Sequence, residues 1–243
     1  MDMLKNISCA VIIPCYNEEE NIQECIKRIP KTGDFTEIIV VDDGSTDATL
    51  EKAQQLHPLF NNLKLIKISS NKGKGNALKE GFNKATSDIL IILDADMSVA
   101  PEDLPKFIQP LIENKSILVN GSRFILPMEK GAMNIPRRIG NKTFSFIFWM
   151  LSGMKVTDTL CGTKAFLRQD YQKMIWGKCP WGDFDILFNA VRMNLKLVEI
   201  PTMYHLRVQG KSKMKTVKFG LKFIITCLLW KLFLLKERND RIA

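Results

Sequence analysis

Short apolar runs alternate with helix-spaced apolar positions along the first half of the chain. CAVII (9–13), EIIVVD (37–42), residues 63–68, ILIIL (89–93) and residues 117–121 read as strands, being short, rich in β-branched residues and bounded by turn formers. Between them the spacing predicts helices over 18–29, 48–56, 75–85 and 102–114. This alternation implies right-handed crossovers and an α/β fold with a mostly parallel sheet and helices on both faces. The unbroken apolar character of IIVV and ILIIL agrees, because strands buried on both faces need not alternate. Asn17 ahead of Glu18, Glu19 and Glu20, and Asp47 ahead of the second helix, stand where capping side chains meet unpaired N–H groups. Beyond Ser122 the pattern loosens, and Pro127, Gly131 and Pro136 mark a loop before an apolar helix over 143–151.

Polar groups gather at one edge of this scaffold. Asn17 and Glu18 follow the first strand, Asp42 and Asp43 close the second, and Asp94 and Asp96 follow the fourth. In open parallel sheets ligands bind outside the carboxyl ends of the strands. Five of these six residues are acidic, so an anionic ligand there requires a hard cation between them. A lone D-x-D is more simply a cap for the turn before Pro101. Aligned with carboxylates at two other strand ends, Asp94 and Asp96 read instead as sharing one ion, since alternate side chains of an extended segment point the same way. There is no G-x-x-x-x-G-K-[ST], and Gly73-Lys74-Gly75 does not complete G-x-G-x-x-G, which excludes a P-loop and a dinucleotide-binding fold. Lys72 and Lys74 either approach a diphosphate or form a solvated pair on a turn.

With 243 residues, 46% of them hydrophobic, the chain can bury one substantial core and is far from the composition of disorder. A net charge of +9 calls for anionic partners. The cations lie late in the chain, and the first half carries no basic stripe interleaved with stacking aromatics, which argues against nucleic acid. The six cysteines form no C-x-x-C pair, so neither zinc site nor disulfide scaffold is signalled and a reducing, cytoplasmic setting fits. The apolar stretch at the N-terminus is too short for a secretory signal. Residues 219–235, interrupted by Lys222 and Lys231, fall short of the roughly 20 apolar residues of a membrane span. Lys211, Lys215, Lys218 and Lys222 recur on one face of a C-terminal amphipathic helix whose remainder is apolar. Such a helix lies in a headgroup layer or docks on the core with its lysines in solvent. The segment with Phe144, Phe146, Phe148, Trp149 and Met150 is either a second membrane contact or a core helix.

The segments VIIPCYNEEENI, VVDDGSTDAT, NKGKGNALKEGF and ILIILDADMSVAPEDL, in this order and spacing, resemble the family-2 glycosyltransferases of the nucleotide-sugar-binding, Rossmann-like (GT-A) type over about residues 8–125. Gly121-Ser122-Arg123, DTLCGTKAF, FDILFNAV and LVEIPTMYHLRVQGKSKM are similar to the dolichol-phosphate mannosyltransferase branch and its glucosyltransferase relatives. The resemblance implies a single domain over 1–215, with a donor and metal half (1–125) and an acceptor half (126–215), followed by a membrane-surface tail over 216–243. It implies that Pro14, Tyr16, Glu18 and Asp43 line the nucleotide pocket, with Asp42 beside it. Asp94 and Asp96 would hold Mg2+ or Mn2+ and the donor diphosphate, and Arg123 would face the sugar or the phosphates. Arg207, Lys211, Ser212 and Lys213 would form a late loop closing over the phosphates of donor and acceptor. The implied donor is a GDP- or UDP-hexose. The implied acceptor is a polyprenyl phosphate at the cytoplasmic face of a membrane, served by a peripheral enzyme that inverts at the anomeric carbon, alone or with a membrane-embedded partner. One departure is visible: Met97-Ser98 follows D-A-D where these enzymes commonly carry a polar Gln or Asn after a Leu.

Two chemistries remain open on the residues. A sugar hydroxyl acceptor needs a general base, for which Asp183 or Asp185 is the candidate; both also suit helix capping after Trp181-Gly182. A lipid phosphate is already anionic and needs positive charge instead, which Arg137, Arg138, Arg207, Lys211, Lys213 and Lys215 supply.

Overall fold

Seven strands pair into one sheet in the order β3-β2-β1-β4-β6-β5-β7: β1 (Cys9–Cys15), β2 (Phe35–Asp42), β3 (Leu63–Lys67), β4 (Ile89–Ile92), β5 (Ile117–Ser122), β6 (Lys164–Leu167) and β7 (Lys196–Pro201). The structure, a computed structural model, describes residues 7–32, 34–114, 117–128, 133, 135–176, 182–203 and 216–240. β6 runs antiparallel to β4 and β5 while every other pairing is parallel, so the sheet is mixed and mostly parallel. Helices α1 (Ile22–Lys27), α2 (Thr49–Gln54), α3 (Lys74–Lys84), α4 (Pro105–Glu113), α5 (Ile135–Ser152), α6 (Arg168–Tyr171), α7 (Asp183–Arg192) and α8 (Thr216–Asp240) complete it.

Period-two alternation along β1 splits the core into two layers. Cys9, Val11 and Ile13 face α1, α2 and α4 through Cys25, Ile26, Ala53, Phe107 and Leu111. Ala10 and Ile12 face α3, α7 and α8 through Leu78, Phe82, Phe188 and Trp230. Burying each such side chain contributes roughly 1.5–3 kcal/mol. The second layer is closed by aromatic pairs: Phe223 of α8 lies 4.3 Å from Phe144 and 4.5 Å from Phe184, and Trp230 stacks on Phe188 at 5.3 Å.

Several local expectations shift. α1 begins at Ile22, because residues 19–21 form a turn and Asn17 takes a left-handed φ of 51°. The Asn17 side chain accepts from the Thr46 N–H at 2.8 Å, tying two loops together instead of capping a helix. Asp47 accepts from the N–H of Thr49, as expected of it. The 102–114 segment divides into a 3-10 turn at Pro101–Asp103 and α4, each with proline in its first turn. α5 starts eight residues before Thr143, at Ile135, because Pro136 sits in the first turn, where a missing N–H costs nothing.

No helix among the described residues is long and apolar enough to cross a membrane. α8 docks on the core by Phe223, Cys227 and Trp230, yet Ile224, Ile225, Leu228, Leu229, Leu232 and Leu235 on its other side are exposed. Of the four lysines of the expected stripe, Lys222 is described and exposed; Lys211 and Lys215 lie outside the described residues. α5 likewise buries Phe148 and exposes Ile135, Ile139, Phe146, Trp149 and Met150.

Candidate active site

The strand ends converge because their register is continuous. The Asp43 N–H donates to Cys15 O at 2.9 Å and the Leu93 N–H to Ile12 O at 3.0 Å, so Tyr16, Asp42, Asp43 and Asp94 leave the sheet side by side. Asp42 is buried and accepts from the Ser45 N–H at 3.1 Å. Asp43 accepts from two successive backbone N–H groups, Lys72 at 2.9 Å and Gly73 at 2.7 Å, and so clamps the turn that opens α3. Gly73 in that turn takes φ 92°, a region that costs a side chain dearly.

The clamp delivers Lys74 to the acidic edge. Its ammonium lies 2.7 Å from Asp94 Oδ1 and 3.4 Å from Asp183 Oδ2 at the start of α7. Burial alone would lower the proton affinity of Lys74, but Asp183 and Asp94 more than offset this and hold it above its ordinary value. For Asp94 burial acts upward, and Lys74, then Lys164 and Arg123, bring its carboxyl below the usual range. Lys164 on β6 is fully buried, donates to the Cys161 carbonyl and lies 3.6 Å from Asp183 Oδ1. Gly162 lets β6 approach, since a Cβ there would lie 2.6 Å from Asp94 Cγ.

Asp96 accepts from the Ser98 N–H at 3.0 Å, in a turn where Met97 takes a φ of 53°. The Met97 side chain is buried in the first core layer with Arg28 Nη1 3.6 Å from its sulfur, so the departure from the family pattern points into the core. Pro14 lies in β1 and Tyr16 and Glu18 follow it, all three partly buried; the Glu18 N–H donates to Thr49 Oγ1 at 2.8 Å and its carboxylate accepts from Asn21.

Arg123 is anchored at the end of β5 by a buried carboxylate. Its guanidinium grips Asp158 in a bidentate pair, at 2.6 and 2.9 Å, and Asn141 Nδ2 donates to the same carboxylate at 2.5 Å. Burial would raise the Asp158 pKa, but Arg123 and then Asn141 hold it below the usual range. Arg137 and Arg138 occupy the first turn of α5, the former partly buried and the latter exposed. Arg207, Lys211, Ser212 and Lys213 lie outside the described residues. The Cys161 thiol is pushed up to about 11, chiefly by burial, and is inert at neutral pH.

The two base candidates stand in different surroundings, and Asp183 Oδ1 is buried without a hydrogen-bond partner. Asp183 faces Lys74 and Lys164, and Asp185 is completely buried, accepting from the Trp230 indole N–H at 3.3 Å. Asp158, Asn141, Gly162 and Lys164 touch the candidate site residues or their partners and were not singled out in the sequence; the DTLCGTKAF segment that carries three of them was the available signal.

Two carboxylates, Asp94 and Asp96, offer hard oxygen donors suited to Mg2+ or Mn2+. Among the described residues no group of three acidic, His or Cys side chains forms a closed metal cage. A cation here would therefore complete its shell with ligand oxygens and water.

The chain is 31% identical over 244 residues to a UDP-N-acetylglucosamine–dolichyl-phosphate N-acetylglucosaminyltransferase of Methanococcus voltae, with 91% of this chain and 95% of that one covered. It is 33% identical to a dolichol-phosphate mannosyltransferase of Pyrococcus furiosus, covering 91% of this chain and 64% of that longer protein. An undecaprenyl-phosphate 4-deoxy-4-formamido-L-arabinose transferase of Pectobacterium atrosepticum is 28% identical, over 94% of this chain and 69% of the relative. In fold it matches the glucosyl-3-phosphoglycerate synthase of Mycobacterium tuberculosis crystallised with Mn2+, UDP-glucose and phosphoglyceric acid, with a TM-score of 0.65, 21% identity and coverage of 93% and 80% of the two chains. Residues 10–175, from β1 past the buried lysine of β6, match the sequence profile of glycosyl transferase family 2, and the chain belongs to that family.

Proposed function

We propose that this glycosyltransferase moves a hexosyl group from a GDP- or UDP-sugar to a polyprenyl phosphate at the cytoplasmic face of a membrane, with inversion. A phosphate oxygen of the acceptor forms the new bond to the anomeric carbon while the bond to the nucleoside diphosphate breaks and the diphosphate leaves. The observation that carries the reading is the state of α7. Asp183 lies 3.4 and 3.6 Å from two lysine ammoniums and Asp185 is sealed beneath Trp230, which supports an acceptor that needs no general base from α7. A phosphate acceptor asks for no such base.

Mg2+ or Mn2+ held by Asp94 and Asp96 would neutralise the leaving diphosphate. Tyr16, Asp42 and Asp43 would border the nucleotide. Arg137, Arg138, Arg207, Lys211, Ser212 and Lys213 would meet the acceptor phosphate. The dolichyl- and undecaprenyl-phosphate acceptors in the names of the relatives support the acceptor class. The outward apolar side chains of α8 and α5 support membrane attachment, because an exposed apolar helix face calls for a second apolar surface to cover it.

The test is product analysis. Radiolabelled GDP-mannose, UDP-glucose and UDP-N-acetylglucosamine are each offered with a short polyprenyl phosphate and Mn2+, and the organic phase is tested for label released by mild acid. Asp183→Asn and Asp185→Asn should keep substantial turnover if folded. Label found only in water-soluble glycans, together with silence of a folded Asp→Asn variant, would replace this reading with a hydroxyl acceptor.

A further inference from the structure

Lys74 occupies the place at Asp94 that the reading above gives to a metal ion. Its ammonium is 2.7 Å from one oxygen of the very carboxylate that opens the D-A-D triplet. It does not arrive there by chance of a flexible stem: Asp43 fixes the preceding turn through two backbone hydrogen bonds, and Asp183 holds the ammonium from the other side. With Lys164 beside Asp183, two ammoniums balance two carboxylates, and the Asp96 carboxylate, near enough to act on Lys74, leaves one negative charge in surplus.

That balance decides what can enter. A free divalent cation reaching Asp94 adds two positive charges beside two ammonium groups in a site partly closed to water, where like charges repel strongly. A cation that arrives with a nucleoside diphosphate adds almost no net charge. The diphosphate also gives Lys74 somewhere to go, since an ammonium on a four-carbon stem is a mobile point charge well suited to phosphate.

We propose that Lys74 is a resident counter-ion for Asp94, which excludes free metal from the site and is handed from Asp94 to the donor's diphosphate when metal and nucleotide sugar enter together. Metal binding and nucleotide binding are then strongly synergistic, and Lys74 is the source of the synergy. The inference rests on the metal-dependent reading of Asp94 and Asp96, and it assigns Lys74 a role beyond contact with phosphate.

The test is Mn2+ binding by the full chain, read by electron paramagnetic resonance with MnCl2 alone, with UDP and with GDP. The wild type should bind Mn2+ at least about tenfold more tightly with its nucleotide than without, the ratio that a coupling of about 1.4 kcal/mol produces. Lys74→Met should bind Mn2+ alone at least about tenfold more tightly than the wild type and lose most of the enhancement by nucleotide, because the competing charge is gone and the phosphate has lost its partner. Lys74→Gln, which retains a hydrogen-bond donor to Asp94, serves if the methionine variant fails to fold. Asp94→Asn should abolish binding in either background. Variants that bind free Mn2+ no more tightly than a wild type showing clear nucleotide synergy would overturn the role of Lys74 while leaving the metal site intact. Absence of Mn2+ binding by the wild type under all three conditions would overturn the metal reading itself, and this inference with it.

Discussion

The indole N–H of Trp230 on α8 donates to Asp185 Oδ1 on α7 at 3.3 Å, with both side chains almost wholly buried. The same indole stacks on Phe188, one turn further along α7, with the rings 7° from parallel. α8 is therefore built into the second core layer, and the helix that presents Asp183 to the site is held in part by it. Trp230→Ala should cost about 3–5 kcal/mol of unfolding free energy through the cavity it leaves. Trp230→Phe, which keeps most of the volume and loses one hydrogen bond to a buried carboxylate, should cost about 1–3 kcal/mol. Denaturant titration measures both, and a Trp230→Phe variant as stable as the wild type would mean that the hydrogen bond contributes nothing.

Membrane attachment must then be tested without deleting the helix, since removing residues 216–243 also strips the core. The outward residues allow this: Leu229 and Leu232 are 61% and 64% exposed, and Leu228 lies beside them. Leu228→Gln, Leu229→Gln and Leu232→Gln combined should change thermal stability little, because exposed positions contribute little to folding. Flotation with anionic liposomes should fall severalfold, given about 0.8 kcal/mol per buried methylene. A triple variant that floats like the wild type would place the contact elsewhere.

The parts of the fold legible in the sequence are those where local chemistry and tertiary role coincide. β1, β2 and β4 are buried on both faces, so their apolar runs announce them, and the acids that follow mark the ligand edge. β6 was hidden because it is four residues long and begins with Lys164, a charge that local pattern assigns to a surface. Its burial is dictated by the Cys161 carbonyl and by Asp183, partners no periodicity reveals. β7 was hidden for a related reason: as a half-exposed edge strand it mixes Lys196 and Glu199 with apolar residues. Arg123 shows the limit for site residues. Its charge was legible, but the carboxylate that takes that charge, Asp158, lies 35 residues away.

Glu37 gives the fold a distinct acid limb. It sits on β2, accepts from Thr86 and Ser87, and pairs with Lys64. Burial would raise its pKa, but the hydrogen bonds of Lys64 and Ser87, then Thr86, bring it down to about 2 from the model-compound value of 4.5. A carboxyl depressed in the folded state contributes stability that is complete above its unfolded pKa and is lost as pH falls through the folded one. The wild type should therefore lose stability between pH 4.5 and about 2, and Glu37→Gln should flatten that part of the curve while lowering stability at neutral pH. Parallel acid limbs for the two proteins, measured by urea unfolding at several pH values, would remove Glu37 as the cause.

The approach of β6 to the acidic edge yields the sharpest test of the site. A Cβ at Gly162 would lie 2.6 Å from Asp94 Cγ, well inside van der Waals contact for non-bonded carbons, and Asp94 is flanked on its other side by Lys74. Gly162→Ala must therefore push the Asp94 carboxylate aside or shift the loop before β6. Either movement separates Asp94 from the place where it can share a cation with Asp96, and misplacement by even about 1 Å costs on the order of 100-fold in rate. Gly121→Ala is the structural control. Its Cβ would lie 2.7 Å from the Cys161 sulfur, so it crowds the same stretch of chain without touching Asp94 and should lower stability by about 1–3 kcal/mol with most specific activity retained. Gly140→Ala is the neutral control, since nothing lies within 4 Å of its Cβ on helix α5, and it should stabilise the protein by about 0.4–1 kcal/mol. Transfer activity per folded molecule, with Mn2+ titrated from zero, separates the three. Loss confined to Gly162→Ala assigns Asp94 to metal and donor, whereas equal loss in Gly162→Ala and Gly121→Ala reduces the effect to general strain around β6 and withdraws that assignment.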